Sequence, residues 1–173
     1  MRPRTPELLL LSLLCASAGH SQSGSPAPMQ PLKTRDPRLE KISAAMKQSP
    51  DDPALLSALA YSEQKRKATV EARELYEKAL KIDPTSIDAA VNLGVIEAQQ
   101  DHLAPALRLW QEAFKRAPYR SSIGMNIARA DCAREDFAAA KASVSRVLEF
   151  NPDFGPAREM LRHLAMSPVK CDP

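Results

Sequence analysis

Residues 93–118, LGVIEAQQDHLAPALRLWQEAFKRAP, contain the pattern that decides the fold. Near its end, Ala106, Trp110 and Ala113 fall on one face of a helix that must stop at Pro118, because proline cannot donate a backbone N–H. Pro118 is one of four prolines that recur every 34 residues, at positions 50, 84, 118 and 152. This interval fits two short helices and two turns, so the sequence predicts a repeated helix-pair unit.

The same small and large residues recur at fixed distances from the other prolines. The relevant positions lie twelve, eight and five residues before each proline. They hold Ala72, Tyr76 and Ala79 before Pro84; Ala106, Trp110 and Ala113 before Pro118; and Ala140, Val144 and Val147 before Pro152. Further upstream, an aliphatic residue precedes a small one in Leu59-Ala60, Leu93-Gly94 and Ile127-Ala128. This pattern resembles the tetratricopeptide repeat, in which an L-G pair is followed by A-x3-F-x2-A and a closing proline. The resemblance implies an all-α, right-handed α-solenoid of three helix pairs, flanked by an N-terminal helix and a C-terminal capping helix.

The chain divides into segments around these prolines. We predict a signal peptide at 1–18, a disordered linker at 19–35, an N-terminal half-repeat helix at 36–50, repeats at 51–84, 85–118 and 119–152, a capping helix at 153–166 and a tail at 167–173. Within the repeats, helices are predicted at 53–66, 70–82, 87–99, 103–116, 121–134 and 137–150. The linker is rich in Ser, Pro and Gly and lacks apolar periodicity, which is typical of disorder.

The first residues carry the features of a secretory signal. Arg2 and Arg4 precede the apolar run 8–15, and the small residues Ala16 and Ala18 follow it. We expect cleavage after Ala18 and export to a periplasm or out of the cell, with a lipoprotein as the alternative to a soluble product. The apolar run is shorter than the roughly 20 residues that a membrane-spanning helix needs, so no transmembrane segment is expected in the mature chain.

Charge and motifs argue against nucleic-acid binding and catalysis. The formal net charge is +3, with Lys and Arg interspersed among Asp and Glu, so the sequence offers no basic footprint for nucleic acid. It has no phosphate-binding loop, nucleophile elbow or His-Glu-x-x-His motif. His20, His102 and His163 have no partner at metal-ligand spacing. We therefore expect a non-enzymatic protein without a metal or a cofactor.

Two cysteines remain once the signal peptide is removed, Cys132 and Cys171. An exported compartment permits disulfide bonds. The first helix of the third repeat and the capping helix should run roughly parallel, which brings Cys132 and the segment after the capping helix to the same end. We hypothesise a Cys132–Cys171 bridge, and the alternative is a buried thiol plus a separate tail thiol.

The resemblance also implies a binding groove. In proteins with this repeat, the first helices line a concave face, where asparagines grip a peptide main chain because each amide offers one acceptor and two donors. Asn92 and Asn126 hold that place in this sequence. The predicted groove around them includes Tyr61, Val91, Val95, Met125 and Arg129. The expected function is an adaptor or scaffold that binds a protein or peptide of unknown identity.

The residues of this predicted groove favour an apolar peptide segment or a partner helix as the ligand. Chaperone-binding relatives clamp a terminal carboxylate with Lys and Arg. The corresponding places here hold Ser57, Tyr61, Ser122 and Asn126. Because these residues carry no positive charge, the sequence does not predict recognition of a chaperone's terminal carboxylate.

Two other functions stay open at the level of sequence. Glu63, Glu97 and Asp131 replace an aromatic residue of the family pattern, one in each unit, and this acidic row could bind partners in a constitutive envelope or secretion complex. Its other interpretation is a set of local salt bridges to nearby Arg and Lys. The chain could also be an auxiliary domain of an enzyme system whose catalysis lies in another chain.

Overall fold

The computed structural model describes residues 37–166, which form eight helices joined by short turns, with no strand in this range. The helices are α1 (Pro37–Gln48), α2 (Pro53–Lys65), α3 (Thr69–Ile82), α4 (Ile87–Gln99), α5 (Leu103–Arg116), α6 (Ser121–Ala133), α7 (Phe137–Phe150) and α8 (Gly155–Met166). The ends of α2 to α7 lie within one residue of the predicted ones, whereas α1 ends two residues before the predicted position 50 and α8 begins two residues after the predicted position 153. None of these helices is both long and apolar enough to cross a membrane. The predicted signal peptide, linker and tail lie outside the described residues.

The helices pack as consecutive pairs. Helix α2 contacts α3, α4 contacts α5, and α6 contacts α7. Contacts of α3 with α4 and of α5 with α6 join each pair to the next, while α1 packs on α2 and α8 packs on α7. This arrangement is the predicted all-α solenoid of three helix pairs with one flanking helix at each end.

One turn geometry recurs inside all three pairs. Lys67, Asp101 and Glu135 adopt positive φ angles of 65°, 63° and 61°. The next residue in each turn donates its backbone N–H to a carbonyl five residues back, from Ala68 to Glu63, from His102 to Glu97 and from Asp136 to Asp131. This bond defines a Schellman motif, in which glycine is the usual residue at positive φ. The three turns therefore share one backbone path although none of them contains glycine.

Trp110 on α5 is buried against α4 and stabilises the second helix pair. Its side chain is 3% exposed, and its Nε1 donates a hydrogen bond to the Val91 carbonyl at 3.0 Å. A Cβ on Gly94 would lie 2.8 Å from the indole Cε2, so glycine is needed for the indole to approach α4 this closely. Trp110 therefore packs between α4 and α5.

In the third pair, different side chains fill the space between the two helices. Val144 occupies the place of Trp110 and is fully buried. Gly124 lies on α6, and a Cβ there would come within 3.0 Å of the Phe114 ring and would also clash with Val147. Phe114 of the second pair thus fills space that a larger side chain on α6 would otherwise occupy.

Candidate functional site

The first helix of each pair carries a row of equivalent residues, and we call these rows together the first-helix face. The face consists of Ser57, Ala58, Tyr61 and Gln64 on α2; Val91, Asn92, Val95 and Ala98 on α4; and Met125, Asn126, Arg129 and Cys132 on α6. Stacked helix pairs of this kind form superhelices with an extended concave binding surface. This face contains every residue that the sequence predicted to contact a peptide.

The predicted groove residues differ in how far they reach solvent. Tyr61 is 39% exposed, Arg129 is exposed and Val95 is half-buried. Val91 and Met125 are only 9% and 3% exposed, which corrects the expectation that they form an open groove wall. Both belong to the main hydrophobic core, where the surrounding helices cover their side chains. A ligand on this face would therefore meet Tyr61, Val95 and Arg129 rather than Val91 and Met125.

The two predicted peptide-binding asparagines have different surroundings. The Asn92 side chain lies near the hydroxyl of Tyr76, which is on α3 and fully buried. That hydroxyl donates to Gln64 Oε1 at 3.3 Å. Burial raises the pKa of Tyr76 well above its usual range, whereas the nearby Asn92 amide acts in the opposite direction. Asn92 is thus partly committed to holding α2, α3 and α4 together.

Asn126 has no such commitment. It is half-buried, and its side-chain amide has no hydrogen-bond partner within residues 37–166. No buried side-chain nitrogen or oxygen in that range lacks a partner, so the Asn126 amide must reach solvent. Of the two asparagines, Asn126 has the amide that is available to a ligand.

Positive charge is available on the same helix. Arg129 lies one turn after Asn126, is exposed, and has no ion-pair partner among the described residues. Asp88 at the start of α4 is already neutralised by Arg120, whose Nη1 lies 2.7 Å from Asp88 Oδ1. On α2, the Lys65 ammonium lies 5.3 Å from the centre of the Tyr61 ring, a cation–π distance.

The acidic row does not form a free surface. Glu97 is 6% exposed and pairs with Arg73 at 2.7 Å and with His102 Nδ1 at 3.0 Å. Glu63 pairs with the exposed Arg66 at 3.4 Å. For these two residues the local salt-bridge interpretation is correct, and the idea of an acidic row presented to a partner is wrong.

Asp131, the third residue of the row, has no salt bridge among the described residues, although Arg134 lowers its pKa in part. It is 4% exposed, and the Ser143 hydroxyl donates to its Oδ2 at 3.4 Å. Burial, with a smaller contribution from Asp136, raises the pKa of Asp131. Because the side chain is enclosed, it contributes a buried polar group to the core rather than a charge to the surface.

The described residues form no cluster of metal ligands. No three His, Cys, Asp or Glu side chains in that range are placed to hold a metal ion. His102 pairs with Glu97, and His163 pairs with Glu159 at 2.9 Å. His20 lies outside the described residues.

Cys132 is the last residue of the first-helix face on α6. It is 8% exposed and takes part in a disulfide bond. Its predicted partner, Cys171, lies outside the described residues, so the Cys132–Cys171 pairing stays a prediction.

A second concavity lies between α3 and α5, above α4, and we call it the outer groove. Its volume is about 460 Å³, and its lining includes Leu80, Leu93 and Leu109, with Arg108 and Glu112 among its polar residues. This groove could not be predicted from the spacing within one repeat, because its walls come from helices in different repeats. It provides a second surface against which binding to the first-helix face can be judged.

The Gln64–Tyr76–Asn92 network was also missed by the sequence analysis. Tyr76 occupies a large packing position of the repeat, and its hydroxyl group is the signal that could have been used. A buried tyrosine hydroxyl usually has a hydrogen-bond partner. That partner had to come from another helix, and Gln64 supplies it, with the Asn92 side chain nearby.

Solved structures share this arrangement of helix pairs. The first TPR of Spaghetti (RPAP3), bound to the HSP90 peptide SRMEEVD, aligns with a TM-score of 0.63 at 20% sequence identity, covering 69% of this chain and 94% of that one. The chain has a tetratricopeptide-repeat fold. MamA aligns with a TM-score of 0.63 at 18% identity, covering 77% of this chain and 83% of MamA.

YrrB, described as a TPR protein with an unusual peptide-binding site, aligns with a TM-score of 0.64 at 17% identity. The alignment covers 71% of this chain but 63% of YrrB, so the chain spans less than two thirds of that relative. No protein-family model matches the sequence, and no curated protein matches it. At these identities, the similarity concerns the fold.

Proposed function

We propose that this protein is a non-enzymatic adaptor that binds a protein or peptide on its first-helix face after export to a periplasm or out of the cell. The observation that carries the proposal is the pair formed by the Asn126 amide and the Arg129 guanidinium. Both groups reach solvent from neighbouring turns of α6, and neither has a side-chain partner within the described residues.

These two groups suit a peptide ligand. An asparagine amide can accept from a main-chain N–H and donate to a main-chain carbonyl, whatever side chains the ligand carries. An arginine fork favours a carboxylate or a carbonyl oxygen nearby. The exposed Tyr61 ring and the half-buried Val95 side chain add apolar surface on the adjoining helices. The face thus combines main-chain recognition with modest apolar contact.

Two of the similar structures support a peptide ligand by their own descriptions. RPAP3 was solved with a bound peptide, and YrrB has a peptide-binding site. The export part of the proposal rests on Arg2, Arg4 and the apolar run 8–15. Cell fractionation with N-terminal sequencing tests it: a chain beginning at Gly19 outside the cytoplasm is expected, and an intact chain confined to the cytoplasm would refute export.

Peptide selection tests the binding part. A phage-displayed library of random peptides is selected on the full chain, and the affinity of the best peptide is measured by fluorescence anisotropy. The double variant Asn126→Ala/Arg129→Ala should weaken binding about tenfold or more, which corresponds to about 1.4 kcal/mol. Thermal melting should change little, because neither side chain has an internal partner in the described structure.

The matched control is Arg108→Ala/Gln111→Ala. These residues are likewise a cation and an amide three residues apart, and both are exposed on the second helix α5. The control variant should bind with unchanged affinity. Equal loss in both variants, or loss in the control alone, would show that the ligand does not use the first-helix face.

A further inference from the structure

The outer groove lies where the first helix pair packs on the second, and the same kind of junction occurs before and after it. At each junction, a residue near the end of one helix is followed ten positions later by a residue near the start of the next helix. The three junctions consist of Met46 and Leu56, Leu80 and Ala90, and Phe114 and Gly124. The groove contains the middle one, so the outer two show how the chain fills such a place.

The outer two junctions are filled by the chain itself. Leu56 is 1% exposed, and Met46 packs against the hydrophobic cluster that contains it. Phe114 is 5% exposed, and its ring lies so close to Gly124 that a Cβ there would meet it at 3.0 Å. The Arg146 guanidinium lies 5.6 Å from the centre of this ring, a cation–π distance. A large side chain thus occupies each of these junctions.

The middle junction is open. Leu80 is half-buried and lines the outer groove together with Ala90. Leucine does not reach as far as the phenylalanine of the next junction, and Ala90 is smaller than the leucine of the previous one. On α5, Ala113 stands in the place of Val147, which lies against the third junction. The space that large side chains occupy at the other junctions is therefore part of the groove here.

The carboxylates of the outer groove are already paired. Glu97 pairs with Arg73 at 2.7 Å, and Glu112 pairs with Lys115 at 3.3 Å and with Arg116 at 3.1 Å. Most of the other lining residues are apolar: Leu80, Pro84, Ala90, Leu93, Pro105 and Leu109. Burial of an apolar group in the groove therefore leaves no carboxylate of the lining without a cation.

We propose that the outer groove is a second binding site, which takes an aromatic side chain of a partner protein at the junction of Leu80 and Ala90. Phe114 shows the chemistry that fits the equivalent place, a ring packed against a small residue. Aromatic side chains are common anchors of protein interfaces, because each buries a large apolar area. The groove follows α5 from Pro105 to Arg116, about 16 Å by the rise of a helix, so it also accommodates neighbours of the aromatic residue.

The outer groove and the first-helix face lie on opposite sides of α4. On this helix, the groove is lined by Ala90, Leu93 and Glu97, whereas the face carries Asn92 and Val95. At 3.6 residues per turn, the two sets point in directions roughly 160° apart. Both sites can therefore be occupied at once, and the protein can join two partners. This inference goes beyond the proposed peptide binding and does not depend on it.

Nuclear magnetic resonance of the full chain with N-acetyl-L-phenylalanine amide tests the site. This probe carries an aromatic side chain between two peptide groups. It should shift the methyl signals of Leu80, Ala90 and Leu109 with a dissociation constant on the order of 1 mM, as expected for a ligand of this size. N-acetylglycine amide lacks the ring and should shift none of them. Shifts confined to other residues, or no shift at ten times that concentration, would overturn the proposal.

Two variants fill the groove as the neighbouring junctions are filled. Leu80→Phe/Ala90→Gly copies the third junction and Leu80→Met/Ala90→Leu copies the first, so each should keep its helix content by circular dichroism. Each should weaken probe binding about tenfold or more, because the space for the ring is taken. Undiminished binding by a folded variant of either kind would overturn the proposal.

Leu148→Phe is the matched control. It makes the same exchange at the equivalent position of α7, where no helix follows α8 within residues 37–166 to form a second wall. Its affinity for the probe should equal that of the wild-type chain. A loss as large as in the filled variants would show that the ring does not bind in the outer groove.

A longer probe tests whether the occupant belongs to a protein. A pentapeptide with phenylalanine between two alanines on each side should bind about fivefold more tightly than the single residue, because the groove extends along α5. Weaker binding of the pentapeptide would assign the groove to a free aromatic molecule and would overturn the protein partner.

A competition experiment tests the independence of the two sites. A saturating peptide that was selected for the first-helix face should leave the affinity of the pentapeptide unchanged. Competition would overturn the two-site arrangement. Failure of the peptide selection would remove the proposed function alone, because the pentapeptide and the filled variants still decide the outer groove.

Discussion

The second and third helix pairs share one backbone and differ in the polar residues beneath it. In the second pair, the buried Glu97 is neutralised by Arg73 and contacts His102. One repeat further on, Leu107 occupies the place of Arg73 and Asp136 that of His102. Asp131 is therefore buried beside Ser143 with no salt bridge among the described residues, and Arg134 offsets only part of the effect of burial on its pKa. Equivalent carboxylates thus have opposite electrostatic surroundings.

The two asparagines also differ between the second and third pairs, in whether a polar side chain of the preceding pair lies near the amide. Asn92 lies near the Tyr76 hydroxyl of the first pair. The equivalent of Tyr76 in the second pair is Trp110, which directs its N–H to the Val91 carbonyl and not to Asn126. The exchange of tyrosine for tryptophan therefore leaves the Asn126 amide unused. The repeat pattern thus specifies the backbone, while small departures from it decide which polar groups remain available to a ligand.

The largest expected effect is on packing. Trp110→Ala should lower the free energy of unfolding by about 3–5 kcal/mol, because it removes a buried aromatic and leaves a cavity against Gly94. Val144→Ala, at the equivalent place, should cost clearly less, since two methyl groups account for about 1.6 kcal/mol of burial. Urea denaturation monitored by circular dichroism measures both. Equal losses would mean that the second and third pairs are packed alike.

Substitution of the two buried carboxylates, Glu97 and Asp131, should change the free energy of unfolding in opposite directions. Glu97→Gln leaves Arg73 without its charge partner and should destabilise the chain by about 3 kcal/mol, the lower end for a buried pair. Asp131→Asn should stabilise it at neutral pH, because it removes an enclosed charge whose burial outweighs the attraction of Arg134. Glu63→Gln is the control, with an expected loss below about 0.5 kcal/mol for an exposed pair. Destabilisation by Asp131→Asn would show that its charge is compensated.

The effect of Asp131 should depend on pH. Its pKa is raised in the folded chain, so the folded state holds the proton more tightly than the unfolded state does. The penalty for ionising Asp131 is absent below the unfolded pKa of about 3.9 and grows as pH rises through the folded pKa. The advantage of Asp131→Asn should therefore be small near pH 3.5 and full at pH 7. Thermal melts across this range would reveal a constant advantage if the account is wrong.

Substitution of Asn92 should mainly lower stability, whereas substitution of Asn126 should mainly weaken peptide binding. Asn92→Ala should cost about 1 kcal/mol of stability, since it removes a hydrogen bond to the buried Tyr76 hydroxyl. Asn126→Ala should change stability by less than about 0.5 kcal/mol but should weaken peptide binding. Chemical denaturation and fluorescence anisotropy measure the two quantities. Loss of stability in Asn126→Ala without loss of binding would reverse the assigned roles.

The smallest effects should be the same in all repeats. Lys67→Gly, Asp101→Gly and Glu135→Gly each relieve a left-handed conformation, with a net gain of about 0.5 kcal/mol after the entropy of glycine is subtracted. Differential scanning calorimetry of the three variants measures this gain. A gain in one repeat alone would mean that the three turns are less alike than their backbone angles indicate.

Much of the fold was predictable because it depends on local rules. Prolines end helices, small residues such as Gly94 admit a neighbouring helix, and both recur at the interval of 34 residues. The helix ends follow directly from them. The positive φ at Lys67 and Glu135 was harder to anticipate, because glycine is the usual residue there and the sequence has none in these turns.

The candidate site was only partly predictable. Its location on the first helices follows from the repeat, and the Asn126 and Arg129 side chains are accessible as expected. The engagement of Asn92 depends on Tyr76 of a different repeat, and the burial of Met125 depends on the helices around it. Such contacts between repeats cannot be derived from the spacing within one repeat.

Hydrogen–deuterium exchange tests most directly whether ligands bind the first-helix face. The reduced full chain is measured by mass spectrometry with and without a saturating library-selected peptide. Slower exchange is predicted in α4 and α6, with α3 and α5 unchanged. Protection confined to α3 and α5 would place the ligand in the outer groove and would contradict the account.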